Sequence, residues 1–158
     1  MYQQKRASGF TLIEILIVVI ILGILAAIVI PQFTEASSEA RESTLTSNLQ
    51  TLRSQLGLYK VQHNDIYLDS TSSATYELCL VEKTDVTGAA GTDFGPYMQM
   101  VPDNPFITND ALPLFTWGDT PGDGLSHWMF DNTGGATDGS FWANDDLATP
   151  DGVDHSEL

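Results

Sequence analysis

The pattern of hydrophobic and polar positions divides the chain into an apolar N-terminal run, an amphipathic segment and a mixed C-terminal region. Residues 10–30 contain one charged side chain, the carboxylate of Glu14. A helix of about 20 apolar residues can cross the hydrocarbon core of a bilayer. A carboxylate within such a span is costly, so it indicates a partner and a function. The pattern predicts a membrane-spanning helix with one functional acid.

The helix is expected to continue to about residue 63. Pro31 removes one helical hydrogen bond, and Gly23 is a second weak point. Further along, large apolar residues recur at alternating spacings of four and three, which predicts one buried face of an amphipathic helix. That face comprises Leu45, Leu49, Leu52, Leu56 and Tyr59, while Glu35, Glu39 and Glu42 fall on another face and are expected to contact solvent.

Residues 64–158 are predicted to form a globular head. The Ser/Thr-rich stretch 70–75 is predicted to be a loop, and residues 74–83 are predicted to form a short second helix. Apolar runs at 112–117, 127–130 and 140–143 predict strands, the last two forming a hairpin around an Asn- and Gly-rich loop. Their aromatic residues, Trp128, Phe130, Phe141 and Trp142, are expected to form the core. The predicted fold class is α+β, with a long N-terminal helix packed on a small antiparallel sheet.

Charge is distributed very unevenly along the chain. The net charge is −15 and the sequence pI is about 4.1. Lys83 is the last basic residue, and 13 acids follow it. Such a surface repels phosphate, so the composition argues against nucleic acid as a partner. The one cysteine, Cys79, rules out an internal disulfide and is expected to be a small buried hydrophobe.

Signals of catalysis are weak. The three histidines, His63, His127 and His155, are far apart and lack metal-ligand spacing. No phosphate-binding glycine loop or nucleophile-elbow motif is present in the sequence. A membrane-anchored hydrolase remains the enzyme alternative, and it predicts turnover by the isolated head.

The N-terminus resembles that of the type IV pilin and pseudopilin family. A basic leader ending in Gly9 precedes Phe10-Thr11-Leu12-Ile13-Glu14 and the apolar helix. A secretory signal has a shorter apolar core, and a plain membrane anchor leaves Glu14 unexplained. The resemblance implies that a prepilin peptidase cuts after Gly9, that Phe10 is N-methylated, and that its ammonium group pairs with Glu14 during assembly. It also implies that the helix between Gly23 and Pro31 can unwind inside a filament.

The resemblance divides the chain into four parts. They are a cleaved leader at 1–9, a transmembrane and assembly helix at 10–33, an amphipathic helix at 34–63 and the head at 64–158. Because positive flanks stay in the cytoplasm, Lys5 and Arg6 place the head on the other side of the inner membrane.

The segment 91–106, GTDFGPYMQMVPDNPF, resembles part of the major pseudopilin of type II secretion systems. Gly95, Pro96 and Tyr97 match a Gly-Pro-Tyr element, and two later prolines match in spacing, while Asn104 replaces an aspartate. The resemblance implies a filament subunit for protein export, with identical subunits, minor pseudopilins, the prepilin peptidase and an inner-membrane assembly platform as partners. A major pilin of a surface pilus is the alternative, since it shares the N-terminus.

Calcium is the one cofactor that the resemblance suggests. Major pseudopilins of type II secretion have a C-terminal calcium site, and calcium takes six to eight oxygen ligands. The formal spacing of a calcium-binding loop is absent here, and a solvated acidic loop is the alternative. The candidate ligands are Asp119, Asp123, Asp138, Asp145 and Asp146.

The N-terminal pattern generates a prediction about processing. We expect the mature chain in its native host to begin at N-methylated Phe10, because Gly9 leaves the backbone open to a protease. Intact-mass measurement and N-terminal sequencing of the purified protein check this. A chain that begins at Met1, or one cut after Ala27, would contradict the prepilin interpretation.

Overall fold

A computed structural model describes residues 9–65, 67–68, 73–109, 111–118, 122, 124–131, 139–149 and 152–158, without the side chains of 73–75. The chain divides into two compact units, Met1–Glu39 and Ala40–Leu158. The fold class is α+β, as predicted, with one long helix, one short helix and a three-stranded sheet among the described residues.

Helix α1 spans Leu12–Gln62. The predicted range of 10–63 is therefore confirmed to within two residues at each end. The helix ends because Asn64 and Asp65 take left-handed backbone conformations, with φ of 56° and 60°. The N–H of Asp65 then turns back to the carbonyl of Lys60 at 3.0 Å, which satisfies a helix-terminal acceptor.

The predicted apolar face of α1 is buried. Leu45, Leu49, Leu52, Leu56 and Tyr59 all belong to the core of the second unit. The periodicity predicted this, because residues three and four apart lie on one side of a helix. Of the predicted solvent-facing acids, Glu35 and Glu39 are exposed and Glu42 is partly buried.

Helix α2 spans Ser73–Val81, one residue earlier at its start than predicted and two shorter at its end. The strands are β1 (Phe115–Trp117), β2 (Trp128–Phe130) and β3 (Phe141–Ala143), in the order β1-β2-β3. β2 and β3 pair antiparallel, which confirms the predicted hairpin. Of the predicted loop 131–139, residues 132–138 lie outside the described residues.

The sheet is mixed, so the prediction of a purely antiparallel sheet was wrong in this respect. β1 pairs with β2 in parallel, with Phe115 opposite Trp128. Three-residue strands are only about 10 Å long, so a short connection is enough to join two of them in parallel. Apolar alternation marks a strand but carries no information on the direction of its neighbour.

The aromatic core forms largely as predicted. Trp128, Phe130 and Phe141 are buried, whereas Trp142 is only partly buried. The indole N–H of Trp128 donates to the carbonyl of Pro102 at 2.8 Å, which joins the sheet to the proline-rich segment. Cys79 is buried, as expected, and its Sγ donates to the carbonyl of Gly88 at 3.5 Å.

The Gly95-Pro96-Tyr97 segment closes over the end of α1. The Gly95–Pro96 peptide bond is cis, and Gly95 has φ of 77°. A Cβ at Gly95 would meet the carbonyl oxygen of Glu82 at 2.8 Å, so only glycine fits. The hydroxyl of Tyr97 donates to Oε1 of Gln62 at 2.6 Å. The segment that resembles the pseudopilin element thus packs against the end of α1.

The buried face of α1 generates a prediction about stability. Leu49→Ala should lower the free energy of unfolding by about 2–5 kcal/mol, because it leaves a cavity in the core. Leu58→Ala is the matched control: Leu58 lies on the same helix but is 46% exposed, so a change within about 0.5 kcal/mol is expected. The measurement is denaturant unfolding of the full chain in detergent, followed by the fluorescence of its three tryptophans. Equal losses in both variants would contradict the assigned packing.

Candidate assembly site

The N-terminus of α1 is built as a capping box. Thr11 precedes the helix, and Glu14 is its third residue. Oε2 of Glu14 accepts from both the N–H and the hydroxyl of Thr11, each at 2.8 Å, and the N–H of Glu14 donates to Oγ1 of Thr11 at 3.3 Å. This reciprocal pair satisfies donors that a helix start otherwise leaves open.

The capping box gives Glu14 partners within its own chain. Two donors on one oxygen offset part of the cost of placing a carboxylate in an apolar span. In the structure Phe10 is still joined to Gly9, so its nitrogen is an amide and not an ammonium. The pairing of the Phe10 ammonium with Glu14 after cleavage therefore stays a prediction.

The predicted cleavage site lies at an open position. Gly9 and Phe10 precede the helix, and Phe10 is 83% exposed. A Cβ built on Gly9 would meet no atom within 4 Å. This backbone is sterically accessible, which a peptidase requires. Lys5 and Arg6 lie outside the described residues.

The apolar part of α1 exposes its side chains on all faces. The large apolar residues from Leu12 to Ile30 are each about half exposed or more. The most apolar stretch of 18 residues in α1 has a mean hydropathy of 3.3. By length and composition, α1 can cross a membrane. A surface of this kind calls for lipid or protein around it.

The helix continues through Gly23 and Pro31. A Cβ at Gly23 would meet nothing within 4 Å, so the fold of one copy does not require glycine there. Proline has no N–H to donate, which leaves one helical hydrogen bond unmade at Pro31. Unwinding of this stretch inside a filament stays a prediction.

A second polar cluster lies in the head and is built on Asp145. Its Oδ1 accepts from Nδ1 of His155 at 2.6 Å and from the N–H of Leu147 at 3.2 Å, and its Oδ2 accepts from Nδ2 of Asn104 at 2.6 Å. Asp145, His155 and Asn104 are all buried. The cluster joins the proline-rich segment, the end of β3 and the 3₁₀ turn His155–Glu157.

Two of the five candidate calcium ligands, Asp145 and Asp146, are among the described residues. Both oxygens of Asp145 accept from N–H donors, and Asp146 is exposed. Within the described ranges, no group of three or more His, Cys, Asp or Glu is placed to hold a metal ion. Asp119, Asp123 and Asp138 lie outside the described residues, so calcium binding at the five candidates stays a prediction.

Comparisons with known proteins agree with this geometry. Residues 4–30 match the family model described as the prokaryotic N-terminal methylation motif. The chain is 30% identical over 149 residues to the type II secretion system core protein G of Klebsiella pneumoniae, an alignment covering 91% of this chain and 94% of that protein. The chain belongs to the core protein G family. No solved structure matches it significantly.

Two further relatives align with a smaller part of the chain. The protein from Pseudomonas aeruginosa is 41% identical over 61 residues, which cover 39% of this chain and 43% of that relative. The type IV narrow pilus major component PilA5 of Thermus thermophilus is 39% identical over 61 residues, or 39% of this chain and 53% of PilA5. The chain spans less than half the length of three of the curated core protein G relatives that it matches.

Sequence reasoning missed two features of this core protein G relative. Thr11 was not assigned a role, although Thr-x-x-Glu before an apolar run is the sequence signature of a capping box. The partnership of Asp145 with Asn104 and His155 was also missed. No sequence signal could have found it, because the partners lie 41 and 10 residues away and meet only in the folded head.

The Asp145 cluster generates a prediction about stability. Asp145→Asn replaces an acceptor oxygen by an NH₂ group that faces other donors, and should lower the free energy of unfolding by about 1–3 kcal/mol. Asp146→Asn removes the same charge from the exposed neighbouring residue and should change it by less than about 0.5 kcal/mol. The measurement is denaturant unfolding of both full-length variants at one ionic strength. Similar values for the two would show that the loss comes from charge and not from the buried network.

Proposed function

We propose that the chain is a structural subunit of a helical pilin-type filament, the pseudopilus of type II secretion, and that it acts in protein export. The observation that carries the proposal is the apolar helix α1, exposed on all faces and holding the one carboxylate of Glu14 in a capping box at its start. The alignment with a core protein G over nearly the whole chain supports it.

The apolar surface of α1 explains how such a subunit can exchange a membrane for a filament. Burial of apolar surface contributes about 25 cal/mol per Å², whether lipid or protein covers it. Apolar helices of neighbouring copies can therefore replace lipid around α1 at little cost. Glu14 then fixes the axial position of a neighbour, because a partner charge at the same level stabilises its carboxylate beyond what the capping box provides.

The proposed partners follow from this scheme. The prepilin peptidase removes the leader after Gly9, and the methylated Phe10 of one copy pairs with Glu14 of its own or a neighbouring copy. Identical subunits, minor pseudopilins and an inner-membrane assembly platform complete the assembly. The subunit is anchored in the inner membrane with its head outside the cytoplasm, and then enters a periplasmic or extracellular filament.

A surface pilus is the second candidate function. It is favoured by the match to PilA5, whose name describes the major component of a type IV narrow pilus. That match covers 61 residues, whereas the match to the Klebsiella core protein G covers 149 and extends through the head. We therefore prefer the pseudopilus.

A structural role is also preferred to a catalytic one. The Asp145–His155 pair is the arrangement in the described head that most resembles part of a catalytic triad. His155 has no exposed surface, and its Nε2 has no hydrogen-bond partner among the described residues. An imidazole in this setting cannot take a proton from a substrate in solvent, so the pair is assigned to structure.

The proposal generates a prediction about Glu14. Glu14→Ala should still insert into the membrane, because a costly charge has been removed. It should fail to form filaments or form few of them, because the Phe10 ammonium then lacks its partner. The measurement is the ratio of sheared filament to membrane-bound subunit in the native secretion host.

Glu35→Ala is the matched control for this experiment. Glu35 lies on the same helix and carries the same charge, but it is exposed beyond the apolar run. We expect it to assemble as the wild-type chain does. Normal assembly of Glu14→Ala would contradict the assembly role of Glu14.

A further inference from the structure

The short elements of the head form one row, in the order α2, β1, β2, β3 and the 3₁₀ turn His155–Glu157. Of the three strands, β1 is the one beside which the backbone of α2 runs, and β3 is the one beside the turn. Neighbouring strands lie about 5 Å apart, so the sheet alone separates α2 from the turn by about 10 Å. The row therefore has an α2 end and a turn end, which face in opposite directions.

A hollow of about 150 Å³ opens at the α2 end. Leu78 and Cys79 line it from α2, and the loop 88–90 lines it on the other side. These walls are mainly apolar, and Leu78 is 48% exposed. Lys83 and Glu82 are exposed and stand at the rim of the hollow. A space of this size and lining takes an apolar group, such as one aliphatic side chain of a partner.

Lys83 gives the α2 end a charge that the rest of the head lacks. It is the one basic residue between positions 64 and 158, a stretch that contains 17 acids. It makes no ion pair with the described residues of its own chain. Two such heads repel each other in most orientations, and attraction arises where one brings a carboxylate to the ammonium group of the other. The α2 end is therefore suited to an acidic partner.

The turn end carries an apolar pair next to an acid. Leu147 and Val153 flank the backbone bridge between Ala148 and Asp154, and they are 43% and 41% exposed. The carboxylate of Asp154 is exposed and accepts from the N–H of Ser156 at 2.8 Å. Hydrogen bonds from the hydroxyl and the N–H of Ser156 lower the pKa of Asp154, which favours its charged form. The turn end thus has the apolar group and the acid that the α2 end can bind.

We propose that the α2 end of one copy binds the turn end of a second copy, with Val153 entering the hollow and Asp154 pairing with Lys83. Copies that stand parallel and side by side present these opposite ends to each other, so neither copy has to turn. Because the two surfaces differ, the contact is heterologous, and each bound copy keeps one unused surface for the next. Such a contact builds an open helical row when it does not close into a ring.

The inference rests on the proposed function, because the contact needs the α1 helices to hold the copies parallel. One aliphatic side chain and one exposed ion pair bind weakly between separate molecules. Helices that are already side by side raise the effective concentration of one head beside the next, which makes a weak contact effective. The heads would therefore join in the filament and stay apart while the subunits are dispersed in the membrane.

The first test is a charge swap in the full chain, expressed in its native secretion host. Lys83→Asp alone and Asp154→Lys alone should each lower the yield of sheared filament roughly tenfold, because like charges then meet. The double variant should recover most of the wild-type yield, which indicates direct coupling between the two positions. Lack of recovery in a double variant that unfolds at the wild-type midpoint would overturn the proposal.

Two controls separate the contact from changes in net charge. Lys83→Asp combined with Asp103→Lys has the same net charge as the swap. The side chain of Asp103 is 71% exposed, but its backbone lies beside Asn48 of α1 and not at the turn end. This combination should stay at the low yield of Lys83→Asp. Glu82→Gln removes an acid from the rim of the hollow, and its yield should not fall below that of the wild type.

Disulfide cross-linking tests the contact directly, in a chain whose Cys79 is replaced by alanine. Lys83→Cys alone and Val153→Cys alone should give no cross-linked product in oxidised filaments, because a heterologous contact does not bring identical residues together. A chain with both substitutions should give a ladder of dimers, trimers and longer products, since each copy bonds on both sides. This measurement also decides the case in which the charge-swap variant unfolds below the wild-type midpoint.

The outcomes distinguish this inference from the proposed function. If the wild-type chain forms no filament, the proposed function fails and the inference fails with it. If filaments form but the chain with both cysteines gives no ladder, or Lys83→Asp assembles as the wild type does, the inference alone is overturned. A ladder together with recovery in the charge swap supports both.

Discussion

The structure depends on one constraint: a helix whose apolar surface is too large for water begins with a carboxylate that is too polar for lipid. The capping box between Thr11 and Glu14 makes this combination tolerable, because two donors of the same chain satisfy one carboxylate oxygen. It does so without neutralising the charge. The hydrogen bonds fix the position of the Glu14 carboxylate and leave its charge available to a cation.

Helix α1 has two parts that differ in which faces are apolar. Up to Ile30 it is apolar on every face, which suits lipid or a bundle of like helices. From Leu45 onwards only one stripe is apolar, and that stripe is buried in the head.

The head owes its shape to polar contacts as much as to its aromatic core. The three strands are too short to specify a sheet by themselves. Buried hydrogen bonds supply the missing specificity: Trp128 reaches Pro102, Tyr97 reaches Gln62, and Asp145 joins Asn104 to His155. Each links segments distant in sequence. An irregular chain of loops can hold one conformation in this way, because breaking any such contact leaves a buried polar group without a partner.

The sequence by itself determined α1, its buried stripe, the α+β class and the hairpin of β2 and β3. These features follow from local periodicity, which has the same meaning wherever the segment packs. The N-terminal signature, with Gly9, Phe10 and Glu14, could also be recognised from the sequence, because its residues are contiguous. Only the tertiary structure decided that β1 runs parallel to β2, since alternation carries no direction. It also decided that Asp145 accepts hydrogen bonds from His155 and Asn104, and that α2 and the turn His155–Glu157 lie at opposite ends of the sheet. These relations join residues far apart in the chain, and they arise from packing that no local pattern encodes.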